Sequence, residues 1–465
     1  MALEKTSISA IEDLAAATLA RHGLPGLALG IVGAEGLLWS GGFGVVDLDG
    51  TDRPDENTIA RIASVTKTFT TTAILQLRDA GLLGLDDPLQ RHIPEFDQVQ
   101  ERGGTVDGVT LRRLLTHRSG LVTESPVKGW GHLHFPSREE ILTALPQTQV
   151  VIPRDSAWKY SNLGFGLLGE VISRLGGSSY DDYIRVNILQ PLGLISTVLD
   201  LTDTLRQRVF CGYDLPAFQD RPEPAAYAHL NGIAAAGQLH STVADLARWV
   251  AFQFRGDGGV RDGSQVLDGQ SLNEMHRPQY VEPDWSAGQC LGWRATRVGD
   301  RVYHNHGGGI HGFSTQVWFD LASRAGAIVL INVWPPPGGQ DLAQQVLELL
   351  LGGTEKEAVE PQSFEPAPAE LVRFLGHYCA APGIHVHIEY RDGQLCLTGP
   401  SGRSYSLHAP AVLEATADTG QWRVRGGRAA GETAIFEFNE SGSVAGYALG
   451  GFLFRRSHMN AAHGE

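Results

Sequence analysis

The segment RIASVTKTFTTTAILQLRDAG, residues 61–81, sets Ser64 three residues before Lys67 where a helical pattern begins. Val65, Phe69, Ala73, Leu77 and Ala80 recur at helical spacing and Gly81 follows as a stop, so the spacing predicts a helix over 65–80. Positions i and i+3 share a face, which brings the Lys67 amine within reach of the Ser64 hydroxyl. Desolvation disfavours a charged amine, and a neutral one can accept a serine proton. The same Ser-x-x-Lys pattern recurs at Ser125–Lys128 and Ser156–Lys159. There, Gly129 and Gly131 or a Tyr-Ser-Asn run deny it a stable helical turn. A capping serine beside a solvated lysine gives the same pattern, so the motif alone decides nothing. The chain holds five lysines against 32 arginines, and only the lysine type is readily neutralised at working pH.

Two further segments add chemistry. WKYSNLGFGLLGEVISRLGG, residues 158–177, sets Tyr160 and Asn162 at the start of a second helical pattern. A tyrosine there feels the positive end of the helix dipole, which favours its phenolate, and an asparagine offers a donor and an acceptor to a substrate amide. Tyr303-His304-Asn305 repeats the Tyr-x-Asn spacing, so this signal too is weak alone. His306-Gly307-Gly308-Gly309 lies in strand-like sequence, where glycines permit close backbone approach. A metal site at His304, His306 and His311 is the competing reading. It lacks a carboxylate or cysteine at zinc spacing, so neither a metal nor another cofactor is expected.

Residues 26–48, GLALGIVGAEGLLWSGGFGVVDL, read as hairpin strands, and 302–334 return to β-branched, aromatic strand character. Between them, roughly 64–255, helical patterns alternate with Gly/Pro loops. An α/β fold follows, with an antiparallel sheet completed by both chain ends, flanking helices and an all-helical insert. GGTEKEAVEPQSFEPAPAE, residues 352–370, is acidic and proline-rich and reads as a linker. Beyond it, IHVHIEY-RDG-QLCLTG alternates with period two around an Asp-Gly turn, opening a separate antiparallel β-barrel domain. The expected domains are 1–352, a linker at 353–370, the barrel at 371–457 and a tail at 458–465.

A net charge of −15 disfavours a nucleic-acid partner, and no apolar run reaches the length of a membrane span. The N-terminal stretch reads as an amphipathic helix carrying Glu4, Glu12 and Asp13, without the features of a signal peptide, so a cytoplasmic location is expected. The scattered Cys211, Cys290, Cys379 and Cys396 suit reduced, structural thiols. No oligomeric state follows from these patterns.

Ser64-Val-Thr-Lys67, Tyr160-Ser161-Asn162 and His306-Gly307-Gly308 together resemble, in order, the three motifs of the serine β-lactamase and penicillin-binding-protein superfamily, in its class C-like branch. LLTHRSGL (114–121) and ILQPLGLISTVLD (188–200) are similar to two further family elements. The likeness covers about residues 8–352, and the C-terminal segment resembles the lipocalin-like domain of some members. It implies that Ser64 forms the acyl-enzyme while Lys67 and Tyr160 share its proton. Ser64 and Gly309 would supply the oxyanion hole, with Gly307 and Gly308 beside it. Asn162 would hold the acyl-side amide, and His306 would hydrogen-bond toward Tyr160 or the substrate.

Where class C β-lactamases usually carry Lys-Thr-Gly, this chain has His-Gly-Gly, which weakens recognition of a substrate carboxylate. The expectation is therefore a serine hydrolase or acyltransferase acting on an ester, thioester or amide, beside a D-residue. It could serve as a D-peptidase, an esterase, or a thioesterase cyclising a nonribosomal peptide held as a peptidyl thioester. A true β-lactamase and a non-catalytic sensor of β-lactams or peptidoglycan fragments are the alternatives. The loop ESPVKGWGHLHFPSR (124–138), with Trp130, would line a peptide site.

Overall fold

The computed structural model describes residues 5–215, 221–257, 266–336, 339, 341–352, 367–380, 384–399, 411–440 and 442–457. Its contacts divide the chain into two compact units that do not follow chain order. One comprises Met1–Asp87, Phe165–Leu215 and Gln219–Lys356; the other comprises Pro88–Gly164, Pro216–Phe218 and Glu357–Glu465. Of the helical region expected over roughly 64–255, Pro88–Gly164 thus groups with the C-terminal segment, while most of the remainder belongs to the first unit. The expected linker at 353–370 falls largely outside the described residues, as does the tail at 458–465; Ala369–Val372 is a short helix.

The first unit is built on an eight-stranded antiparallel sheet. Its order is Gly36–Gly44, Gly26–Gly33, Ala325–Ile331, Phe313–Asp320, Arg301–Ile310, Arg294–Val298, Ala287–Gln289 and Tyr280–Val281. Strands from both ends of the unit meet at the register Leu27↔Ile331, as the strand character read at 26–48 and 302–334 predicts. Every residue of Gly26–Gly33, Phe313–Asp320 and Ala325–Ile331 is buried, as strands covered on both faces require. One layer comes from the Lys5–His22 and Leu342–Leu350 helices, whose Ile11, Ala15, Val346 and Leu347 pack with Leu29, Ile31 and Val329. The Val243–Gln253 helix also packs on the sheet: a Cβ added at Gly30 would lie 2.3 Å from Val243 Cγ1. Its Trp249 stacks on Phe69 with ring centroids 3.8 Å apart.

The second unit holds Pro88–Gly164 of the insert and a closed barrel of eight strands, from Gly376–Ala380 to Phe452–Arg456, joined where Tyr378 pairs with Arg456. The predicted Asp-Gly hairpin is present: Arg391 faces Gln394, and Asp392 and Gly393 both take positive φ (49° and 77°), as a two-residue turn of this hand demands. Aromatic side chains fill the barrel core, with Tyr447 against Tyr378, Phe436 and Phe454. All four cysteines are free; Cys379 pairs across the sheet with His385, and Cys396 with Glu389. Among the described residues, no helix is long and apolar enough to cross a membrane.

Candidate active site

Ser64 stands in a one-turn 3-10 helix, Ala63–Val65, that feeds the Thr66–Asp79 helix, rather than on the helix predicted over 65–80. Ala63 takes φ 45°, a left-handed conformation that costs a non-glycine residue about 1 kcal/mol or more. The turn is held from both sides. Ile62 N donates to Leu239 O, Ala60 and Arg61 pair with Ser241 and His240, and Thr315 Oγ1 donates to Arg61 O. At the far end of the helix, Gly81 at φ 73° donates to Arg78 O and Leu82 N donates to Leu77 O, a Schellman stop.

The helix is buried along nearly its whole length. Its hydroxyls are satisfied by back-bonding: Thr71 Oγ1 donates to Lys67 O and Thr72 Oγ1 to Thr68 O. Lys67 is fully buried, with Nζ 3.2 Å from Ser64 Oγ and 2.7 Å from Ala236 O. The i, i+3 relationship read from the sequence is therefore realised, with the serine two positions ahead of the helix proper.

The His306–Gly309 segment forms the last part of the Arg301–Ile310 strand. The neighbouring strand pairs with it only as far as Arg294↔Asn305, so beyond Asn305 that edge is left to the Ser64 turn. A Cβ at Gly308 would lie 2.2 Å from Ile62 O and 3.2 Å from Ala63 Cβ. One at Gly309 would lie 2.3 Å from Trp334 Nε1, whereas one at Gly307 would meet only Thr315 O at 3.8 Å. Gly308 and Gly309 thus make close packing possible, and Gly308 seats the strand against the serine turn.

His306 Nδ1 lies 2.8 Å from Gly307 O. A carbonyl only accepts, so Nδ1 carries the proton and Nε2 of the neutral ring is an acceptor. Burial, and then the nearby Lys67 charge, push the His306 pKa down to about 3, leaving the ring uncharged at neutral pH. His304 and His311 serve elsewhere: His304 Nε2 donates to His276 O, and His311 Nδ1 contacts Asp214. The second Tyr-x-Asn match is likewise structural, with Tyr303 buried and Asn305 Nδ2 donating to Thr296 Oγ1.

Tyr160 and Asn162 belong to the second unit. Ser161 caps the Asn162–Gly176 helix, its Oγ accepting from Gly164 N and donating to Val122 O. The approach to the helix is zipped to residues 117–123: Lys159 N donates to His117 O, Ser161 N to His117 Nδ1, and Asn162 N to Thr123 O. The His117 ring lies 4.3 Å from that of Tyr160.

The barrel reaches this same segment, through residues the sequence reading did not single out. Lys159, fully buried, forms an ion pair with Glu432 and donates to Thr123 Oγ1 (2.6 Å) and Arg428 O (3.1 Å). Thr123 Oγ1 in turn lies 2.6 Å from Glu432 Oε1. Burial alone would raise the Glu432 carboxyl, but the Lys159 charge and the Thr123 donors outweigh it and hold it below its usual value. Arg428 and Asn162 Nδ2 both donate to Glu124 Oε1 at 2.7 Å, and the Arg428 guanidinium sits 5.2 Å from the Tyr160 ring centre. Trp130 packs in an aromatic cluster with Phe135 and the barrel residue Phe452. Its Nε1 is buried without a hydrogen-bond partner among the described residues.

In the first unit, then, a buried lysine lies within reach of a serine on a strained turn, and that turn is seated against a glycine-bearing strand of the antiparallel sheet. The chain belongs to the beta-lactamase family, whose model matches residues 11–351. It falls within the superfamily of serine hydrolases that also holds penicillin-binding proteins.

It is 26% identical to the human protein named putative beta-lactamase-like 1 over 398 residues, which is 81% of this chain and 75% of that one. It is 30% identical to beta-lactamase-like protein 2 of Dictyostelium discoideum over 55% of this chain, spanning about half (46%) of that protein's length. With protein flp of Staphylococcus aureus (strain N315) it shares 25% identity over 71% of this chain and 64% of that protein. Its fold is similar to that of the octameric penicillin-binding protein homologue from Pyrococcus abyssi (TM-score 0.65, 23% identity, 96% of this chain and 99% of that one). It is also similar to SurE (0.63, 23%, 97% and 98%) and to the class C beta lactamase from Rhodobacter sphaeroides (0.62, 20%, 75% and 100%).

Proposed function

We propose that the protein is a serine acyl-enzyme hydrolase or acyltransferase for uncharged ester, thioester or amide groups. The observation that carries this reading is the Lys67 amine, fully buried and 3.2 Å from Ser64 Oγ. In the proposed reaction Ser64 Oγ gives its proton to the Lys67 amine and attacks the substrate carbonyl carbon. The oxyanion that forms is held by the backbone N–H groups of Ser64 and Gly309. Collapse expels the leaving group, which takes the proton, and leaves an ester on Ser64. Water or an amine then attacks that ester by the same route in reverse. Tyr160 and Asn162 act in this scheme as the second proton carrier and the clamp on the acyl-side amide. The Trp130 Nε1–H is a donor that a peptide carbonyl would satisfy.

The uncharged His306 favours substrates without a carboxylate beside the scissile bond, and so an ester, a D-peptide or a peptidyl thioester over a β-lactam. One structural neighbour, SurE, is described with D-Leu, which makes D-amino acids reasonable trial nucleophiles and leaving groups. Intact-mass measurement after exposure to a fluorophosphonate, and then to ester, thioester and β-lactam donors, tests the reading. One adduct per chain that disappears in Ser64→Ala is expected. Label that survives the substitution would move the nucleophile elsewhere.

A further inference from the structure

The first two strands of the barrel, Gly376–Ala380 and Ile384–Arg391, carry His377, Cys379, His385 and His387. Their register sets His377 opposite His387 and Cys379 opposite His385. The alternate residues Tyr378, Ala380, Val386 and Ile388 belong to the barrel core, so the four histidine and cysteine side chains share the opposite face of this strand pair. Three of them converge. His385 Nδ1 lies 2.9 Å from His377 Nε2, and Cys379 Sγ lies 3.6 Å from His385 Nδ1 and 3.9 Å from His377 Nε2. The ligand atoms of all three lie within 4.8 Å of one another, the one such group of histidine, cysteine and acidic residues found among the described residues.

These spacings match a coordination sphere. Zinc bonds of about 2.3 Å to sulfur and about 2.0–2.1 Å to nitrogen, set at tetrahedral angles, give S–N edges of about 3.5 Å and an N–N edge of about 3.3 Å. Each observed separation is within about 0.5 Å of its edge, a shift that small ring rotations supply. We infer that His377, Cys379 and His385 form a binding site for a thiolate- and imidazole-seeking divalent cation, zinc above all, on the outer face of the barrel.

The donor set of one thiolate and two imidazoles excludes the oxygen-seeking calcium and magnesium. The His387 ring, 4.7 Å from that of His377, is the neighbouring side chain placed to approach as a fourth ligand, a role water also fills. On binding, the Cys379 thiol gives up its proton to solvent, while each neutral imidazole keeps its one proton on the ring nitrogen that does not bind, so one cation displaces about one proton. No part of this site uses Ser64, Lys67 or Tyr160, and the inference stands apart from the proposed reaction. Its physical consequence is a staple between the two strands beside the seam where Cys379 pairs with Arg455 and the barrel closes.

The full-length protein, stripped with chelator and purified without a metal-affinity tag, is titrated with zinc and separately with cobalt(II). One equivalent of zinc, a thiolate-to-cobalt charge-transfer band and a zinc-dependent rise in Tm are expected. All three should be lost in Cys379→Ser and in His385→Ala, while labelling of Ser64 persists. Should either variant fail to fold, the cobalt titration of the unmodified chain still decides. A tetrahedral thiolate spectrum supports the site. A spectrum without the thiolate band, or zinc uptake unchanged by the substitutions, overturns it.

Discussion

Lys159 and Glu432 form an ion pair that joins the helical insert to the barrel, and Lys159 is fully buried within it. Its removal from one side leaves an unpaired charge in a dry setting, which costs about 3–5 kcal/mol. Glu432→Leu alone is expected to unfold the second unit at that order of loss. The double variant Lys159→Met with Glu432→Leu should recover most of it. Denaturant midpoints for the four members of this cycle check the prediction, and additive losses would contradict it.

Gly307 and Gly308 are adjacent in sequence but should respond differently to alanine. Gly308→Ala drives a methyl group into Ile62 O and displaces the turn that carries Ser64. Overpacking of this kind costs about 1–3 kcal/mol, and a shift of about 1 Å at the serine lowers turnover about a hundredfold. Gly307→Ala meets only Thr315 O, at an ordinary contact distance of 3.8 Å, and should keep both stability and rate. Comparable losses in the two variants, by Tm and ester turnover, would refute the packing account.

Lys67→Met keeps the buried volume and removes the amine. The expected loss is about 10²–10⁴ in kcat/KM, the span of a general base, with Tm changed far less. Acyl-enzyme formation followed by stopped-flow mass spectrometry would locate the loss in the first chemical step. A decline below tenfold would remove the lysine from that step.

His306→Lys exchanges an uncharged acceptor for a cation. Nitrocefin, which bears a carboxylate, should gain in acylation rate relative to a neutral ester of similar reactivity. The ratio of the two rates is the readout, and a ratio unchanged or lowered would show that residue 306 does not read substrate charge.

Acid should destabilise the protein before its carboxylates titrate. His306 and His240 are both pushed down to about 3, and His304 and His276 are also lowered, in every case mainly by burial. A histidine whose folded pKa lies below its unfolded value of 6.5 binds fewer protons when folded. Its contribution is complete above 6.5 and declines as pH falls toward the folded value, by up to about 1.4 kcal/mol per pH unit per group. Denaturant midpoints taken from about pH 7 to about pH 5 should therefore drop steeply. A flat profile across that window would mean that these rings gain a proton in the folded state.

Much of this was legible in the residues themselves. The glycine-broken apolar runs at 26–48 and the β-branched, aromatic character of 302–334 predicted the sheet, and Asp392-Gly393 predicted the first barrel hairpin, because strand composition and turn chemistry are local properties. The decoy Ser156–Lys159 was rightly set aside for want of a helical turn, yet Lys159's true role was invisible. Its partner stands 273 positions away in a glycine-rich hairpin loop, and no spacing rule spans such a gap. The same holds for Arg428, which touches the Tyr160 ring and Glu124 from that loop. Nor did sequence show that Gly307 and Gly308 differ, since that depends on which backbone oxygen faces each one.

The pairing of Lys159 with Glu432 also restrains how such proteins can be recombined. Swapping in a foreign barrel would strand a lysine in the interior unless the incoming loop brought its own carboxylate to the place of Glu432. Lineages that have shed the barrel should accordingly have exchanged that lysine for an apolar residue, a trade detectable wherever both versions of the architecture survive.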